Sequence, residues 1–415
     1  MPMKTLIVDP AVHSHGGHHY AAVDRLQAEL DRLGIDAACL GSIAATPDVA
    51  RALDCTATFT GPVYGRDYAS PREFEARVAQ TSRELARALK QLGTWPDILI
   101  LPCCDQVLAA SVARVLGRHP LKPPPQVLMW LLYGPHHRLA PDNPAAIPFH
   151  QEARRGFTAL LKAVGDRRRL VAYSETEPMA AFYRALLPFD VGVAPGAGIA
   201  LPSAPEDSHA DATDHPHLTI AGFANRSKGY RLLPEAIPAL LERHATSHFT
   251  VHGIVTGSDA EGDSWIFDDL ERLGSRVDIR RGVLSDEAYV DLLSHTDLLL
   301  LPYDPESYRT RGSAISNEAR RMGIPIVAPA ECAFAWPAFE GGHGVAMSQY
   351  SPAGLTEATV DALGRLDALK AQASTVAGTT TDPLQGILEA TVEAARARPR
   401  HGAADALRRL LGAAS

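Results

Sequence analysis

Residues 297–329, DLLLLPYDPESYRTRGSAISNEARRMGIPIVAP, restrict the fold of this chain more than any other stretch. Leu298 to Leu301 is an apolar run too short for a helix, 313–322 carries helical spacing up to Gly323, and 324–328 is a second apolar run. Short buried strands separated by a Gly-terminated helix form a βαβ unit, the repeat of a parallel sheet covered by helices on both faces. Ligands of such sheets sit beyond the carboxyl ends of the strands, where loops enter helix N-termini. The loop 303–312 is therefore the first place to look for chemistry.

The same signature recurs on both sides of this stretch. Residues 4–8 read as a first strand, followed by Gly16 and Gly17 and then by Tyr20, Val23, Leu26, Leu30 and Leu33 at helical spacing, stopped by Gly34. The opening lacks a full G-x-G-x-x-G and so does not read as a dinucleotide site. Strands are expected at 36–40, 98–102, 127–133 and 170–173, helices at 71–92, 105–116, 151–164 and 176–186; 41–69 gives no clear pattern. From 188 to 216 the chain is rich in Pro, Gly, Ala and acids without periodicity, which reads as a linker with a poorly ordered middle.

A second series follows, with strands at 218–221, 249–255, 277–281, 298–301 and 324–328. Its helices are expected at 230–241, 265–273, 286–294, 313–322, 352–369 and 383–396, with an unassigned loop at 330–343. A basic amphipathic helix, 404–411, ends the chain. The expected organisation is a first domain 1–190, a linker 191–216, a second domain 217–398 and a terminal segment 399–415 that could pack back on the first domain. Both domains should be α/β and doubly wound, their sheets' carboxyl ends facing across a cleft.

Composition narrows the function classes. A formal net charge of -8 argues against nucleic acid as a partner. Five cysteines, an odd count with Cys103 and Cys104 adjacent, do not make a disulfide scaffold and fit a reducing cytosol. The first residues hold too short an apolar run for a signal-peptide core, and the longest runs elsewhere are too short to span a bilayer. A cytoplasmic location is expected.

Two loops carry the chemistry. In G-F-A-N-R-S-K-G, 222–229, Gly222 opens the turn after a strand, and Arg226 and Lys228 sit where a helix begins; cations beside first-turn amides suit a diphosphate. In the second loop, the amides of Gly312, Ser313 and Ala314 open a helix on which Glu318 lies about one and a half turns on, so its carboxylate can face the same end and accept ribose hydroxyls. A solvated surface loop, and an exposed Glu318 paired with Arg321 or Arg311, are the plain alternatives.

Together these loops resemble the retaining glycosyltransferases of the GT-B fold, the group 1 or family 4-like enzymes that use nucleotide-sugar donors. The family's G-x5-K-G donor-phosphate loop is matched by Gly222, Lys228 and Gly229, and its acid-bearing helix before G-I-P-I-V by Glu318 and 323–327. The resemblance is strong over 218–329 and weaker before it. It implies that the backbone around Val283 reads the base and that Lys228 and Arg226 stabilise the leaving diphosphate. Gly16 and Gly17 would let the backbone approach donor phosphate or acceptor closely, or would form a plain tight turn before the helix. No cofactor or metal is implied beyond the nucleotide-sugar itself. The family's pattern of two Glu separated by seven residues is broken: the second is Glu318, the first is Thr310, which puts donor choice in question. Phe223 stands where the family places an Arg, so Arg226, with Arg311 from the other loop, could supply that charge.

His136, at the end of the 127–133 strand, corresponds to an active-site His in related enzymes; a hydrogen-bonded strand cap is the plainer reading. His13, His15, His18 and His19 invite a metal reading, but no acid or Cys pattern completes a set. Arg154, Arg155, Lys162 and 167–169 form a basic stripe, either a solvated face or a peripheral contact with an anionic membrane. The expected activity is transfer of a sugar from a nucleoside diphosphate to a hydroxyl of a carbohydrate, lipid-linked or small-molecule acceptor, with retention. An epimerase or hydrolase of the same fold and a non-catalytic binding protein are the alternatives. Neither base, sugar, acceptor nor oligomeric state follows from the sequence.

Overall fold

The computed structural model describes residues 3–15, 18–62, 68, 70–136, 142–195, 215–255 and 265–397. They form two compact units, one built from the first 200 residues together with the segment from Asp382 onward, the other from 201–381.

The first unit is a parallel seven-stranded sheet in the order β3-β2-β1-β4-β5-β6-β7. Its strands are β1 Thr5–Val8, β2 Ala37–Ser42, β3 Cys55–Phe59, β4 Ile98–Leu101, β5 Gln126–Trp130, β6 Leu170–Ser174 and β7 Gly192–Val193. Side chains alternate across a strand, and the two cores follow that alternation. Leu6, Val8, Leu99, Leu101, Val127 and Met129 enter one, while Ile7, Ile98, Ile100, Leu128 and Trp130 enter the other. Continuous apolar runs are what a sheet buried on both faces requires. β3 and β7 were not expected. β3 lies in the unpatterned region because two of its five residues are exposed, as on an edge strand.

One helix changes sides. Pro383–Arg396, expected in the second domain, packs on the first unit: Leu384, Ile387, Leu388 and Val392 join Val23, Leu26 and Leu30 in the same core. Arg25, 3% exposed, forms an ion pair with Asp382, the N-cap of that helix. The expected boundary at 398 therefore gives way to one at 381. A helix's apolar stripe is visible in sequence, but the sheet that it covers is not. The expected 404–411 helix lies outside the described residues.

The second unit is a parallel six-stranded sheet in the order β10-β9-β8-β11-β12-β13. Its strands are β8 His217–Ile220, β9 His248–Gly253, β10 Val277–Arg281, β11 Leu298–Leu300, β12 Ile326–Pro329 and β13 Gly344–Met347. Alternation again divides the core, with Leu298, Leu300 and Val327 on one face and Leu299, Leu301, Ile326 and Ala328 on the other. The single helix expected over 352–369 is two, Pro352–Leu363 and Leu366–Thr379.

Candidate functional site

In the second sheet β8 and β11 are central neighbours, and the strands that follow each run outward in opposite directions. The loops leaving them therefore diverge at a topological switch point, the place where open α/β sheets form a ligand crevice. The loop after β8 is 221–229 and the loop after β11 is 301–313. Both chemistry-bearing stretches of the sequence thus meet at one point of the fold.

The loop after β8 needs both of its glycines. Gly222 has φ 122°, and a Cβ there would stand 2.9 Å from Ile315 Cδ1, at the start of the opposing helix. Gly229 has φ 74°, and a Cβ would fall 1.6 Å from the Pro302 carbonyl oxygen. Between them Asn225 caps a 3-10 turn, Arg226–Lys228, by accepting from Lys228 N. The α-helix expected from 230 begins at Leu233, after a second 3-10 turn, Tyr230–Leu232. Gly229 in the left-handed conformation separates the two turns, so the amides nearest the cations belong to a tight turn and not to an α-helix. Arg226 is exposed and Lys228 half-buried.

Lys228 turns toward the other loop. Its Nζ lies 3.7 Å from the centroid of the Tyr303 ring and 5.2 Å from that of Tyr308. Burial works against its charge, but the two tyrosines outweigh it and hold the pKa above the ordinary lysine value. The guanidinium of Arg311 stands 4.6 Å from the Tyr308 ring on the same loop. The loops are also joined through the backbone, Asp304 N donating to Ser227 O at 3.0 Å. The expected loop 303–312 contains a short helical turn, Pro305–Tyr308, capped by Asp304.

Ser313 caps the helix Ala314–Met322 and accepts from Ser316 N. Gly312 and Ala314 flank the cap half-buried, and Thr310 is half-buried just before it. Glu318 is 3% exposed, accepts a hydrogen bond from the Tyr289 hydroxyl, and is not the exposed acid of the plain reading. Burial pushes its pKa up to about 7, against the pull of Tyr289 and of the Lys228 charge. A buried carboxyl whose pKa is raised by desolvation at a switch point makes Glu318 a candidate functional group.

Val283 is 65% exposed on the segment after β10. That segment is anchored from below by His252, whose Nε2 lies 2.8 Å from Gly282 O. Spacing and motif single out Gly222, Arg226, Lys228, Ser313 and Glu318; the structure adds Tyr289, Tyr303, Tyr308 and His252 as their neighbours. Tyr303 and Tyr308 were legible as two aromatics in a polar loop, P-Y-D-P-E-S-Y. Tyr289 and His252 carried no local signal, since each reaches its partner from a different element, Tyr289 from a neighbouring helix and His252 from the strand beside β10.

In the first unit, His136 is half-buried with its ring 4.4 Å from that of Phe149. The segment before it is held by Gln106 Nε2 donating to Pro135 O at 2.7 Å. Gly16 and Gly17 lie outside the described residues. The histidine cluster is dispersed: His13 meets Ala11 O, His15 meets Asp48, and His19 meets the buried Asp9 at 2.7 Å. Among the described residues no group of three His, Cys, Asp or Glu could hold a metal ion, and no helix is long and apolar enough to cross a membrane. Much of the basic stripe is engaged locally, Arg154 with Leu186 O, Arg155 with Glu152 and Arg168 with Asp166.

Two Rossmann-like doubly wound units in one chain, the second carrying its loops at a switch point, define a GT-B fold. Solved structures bear this out. Sucrose-phosphate synthase from Thermosynechococcus elongatus matches over 100% of both chains with a TM-score of 0.65 at 14% identity. HepE from Anabaena, solved with UDP and glucose, matches over 94% of this chain and 99% of its own, with a TM-score of 0.65 at 13% identity. A protein assigned as a UDP-N-acetylglucosamine 2-epimerase from Listeria monocytogenes matches over 97% and 99%, with a TM-score of 0.61 at 11% identity. At such identities the likeness establishes the fold. No protein-family model and no curated protein matches this chain.

Proposed function

We propose that this chain is a glycosyltransferase that moves a sugar from a nucleoside diphosphate to an acceptor hydroxyl. The observation that carries the reading is the placement of Lys228 and Glu318 at the second unit's switch point, a cation for phosphate on the loop after β8 and a buried carboxyl for ribose on the helix entered from the loop after β11. Lys228 and Arg226 neutralise charge that builds on the departing diphosphate. Such stabilisation strengthens toward the transition state and so accelerates the reaction rather than only binding the donor. With these cations in place the leaving group is stabilised by the chain's own residues. Retention follows from the sequence resemblance, and the first unit, with His136, takes the acceptor side on the same ground.

The test is a thermal-shift panel of UDP, GDP, ADP, dTDP and their sugars, followed by product analysis with the donor that stabilises most. Stabilisation by a nucleoside diphosphate, lost in Lys228→Ala, supports the site. A charge-assisted hydrogen bond contributes on the order of 1.5 to 3 kcal/mol, so affinity should fall roughly ten- to a hundredfold. An unchanged Lys228→Ala affinity would remove the phosphate-loop assignment.

An epimerase is the second reading, favoured by the fold likeness over nearly the whole chain to the Listeria protein. Conversion of a nucleotide-sugar to its epimer without any acceptor would select it over transfer.

A further inference from the structure

Lys228 is held in a way that suits a cation awaiting an anion. Its ammonium lies over the Tyr303 ring, with the Tyr308 ring also within cation-π reach. The rings are themselves fixed. Their centroids are 4.7 Å apart, and Phe334 packs against Tyr303 at 5.0 Å and Tyr308 at 5.8 Å. Tyr303 is 1% exposed and Tyr308 4%. The turn that presents Tyr308 is pinned at its start, because Asp304 accepts from Glu306 N and Ser307 Oγ through its carboxylate. Through its own amide the same residue is tied to Ser227, the neighbour of Lys228.

The choice of an aromatic surface has a chemical consequence. A lysine held by a carboxylate is neutralised by it, and an incoming phosphate must then displace that partner. An aromatic face attracts the ammonium through its ring quadrupole and leaves the net positive charge in place. Among the described residues no carboxylate lies within ion-pair distance of Lys228, and Glu318 acts on it only from farther away. A long flexible side chain also gives up rotamers when a ligand fixes it, and a surface that fixes it beforehand removes that cost from binding.

We propose that Tyr308, together with Tyr303, is a positioning residue for the diphosphate: it holds Lys228 by cation-π contact so that an oriented, unneutralised ammonium meets the phosphates. This rests on the reading of Lys228 as a diphosphate ligand. It adds a residue that acts through Lys228 without touching the donor.

Replacing a buried Tyr308 by leucine also disturbs packing, so the decisive series keeps the ring. Tyr308→Phe is compared with mono-, di- and trifluorinated phenylalanine at the same position, substitutions that drain the negative ring face with little change of volume. The probe is whichever of UDP, GDP, ADP and dTDP most raises the melting temperature of the unmodified protein, alongside its nucleoside. Tyr308→Phe should bind the diphosphate within about threefold of the unmodified protein, and affinity should then fall stepwise to about tenfold below Phe in the trifluoro variant. Nucleoside affinity should stay level, and the series should flatten in a Lys228→Ala background. A flat series in a protein whose diphosphate binding does depend on Lys228 overturns the positioning role alone. If the unmodified protein binds none of the four diphosphates, the donor reading falls and takes this inference with it.

Discussion

The Tyr289 hydroxyl donates a hydrogen bond to Oε2 of Glu318, joining the helix Asp286–Ser294 to the helix Ala314–Met322. Burial pushes this carboxyl from its usual 4.5 to about 7, against the pull of that hydrogen bond. An acid whose pKa is raised on folding binds its proton more tightly in the folded state. Its stability contribution is therefore complete below about pH 4.5 and is lost as pH rises through about 7. The penalty at pH 8 is at most about 3 kcal/mol. Glu318→Gln removes the ionisation and keeps an oxygen for Tyr289. Its stability in urea should match the parent near pH 4.5 and exceed it by about 1–3 kcal/mol at pH 8, while nucleoside diphosphate affinity falls. A variant destabilised at pH 8 would mean that the carboxylate serves the fold and not a ligand.

Gly229 places its Cα against the Pro302 carbonyl, with no room for a methyl group and a left-handed backbone. Gly229→Ala combines positive φ with backbone overlap, so the two loops of the site must separate. The expected cost is about 2–4 kcal/mol by urea denaturation, larger than for an unhindered left-handed glycine. Gly34→Ala is the control, since φ there is 69° but nothing lies within 4 Å of the new Cβ. Equal losses at the two positions would show that close approach to Pro302 contributes nothing.

Asp382 both caps the helix Pro383–Arg396 and pairs with the buried Arg25. Asp382→Asn keeps the cap and removes the charge, whereas Asp382→Ala removes both. Breaking a buried ion pair from one side costs several kcal/mol, and losing a cap about 1. Chemical denaturation should therefore rank the parent above Asn and Asn above Ala, with the first step the larger. The opposite ordering of the steps would assign the role of Asp382 to the cap.

What could be read in the sequence follows a physical division. Apolar runs such as 298–301 and 127–131 announce strands because parallel sheets bury both faces, and Gly323 announces a helix end because its φ of 69° favours glycine. The half-exposed β3 gave no such run. The switch point was legible once the loops after β8 and β11 had been recognised, since a motif and a fold rule then agreed. Contacts made across elements were not legible: Tyr289 to Glu318, His252 to Gly282, and Pro383–Arg396 to the first sheet each join residues whose local pattern says only that they are helical or extended. Lys228 stands out by its place in a motif, and the tyrosines whose rings lie near its ammonium were passed over because an aromatic in a polar loop has many uses.

Thr310 is the position at which this chain parts from the pattern it resembles. It sits half-buried between the Pro305–Tyr308 turn and the helix that carries Glu318, and its neighbour Arg311 stands over Tyr308. A hydroxyl there can donate or accept one hydrogen bond to a sugar, while a carboxylate would accept two and discriminate more strongly among hydroxyl arrangements. Thr310→Glu should therefore reorder the sugars accepted, seen as changes in kcat/KM across a donor panel. If the position faces the sugar, affinity for the bare nucleoside diphosphate should stay within about threefold, because the added charge is separated from the phosphates and partly screened. A parallel loss for every donor and for the bare diphosphate would place residue 310 at the phosphates. Donor selectivity would then have to reside in other residues.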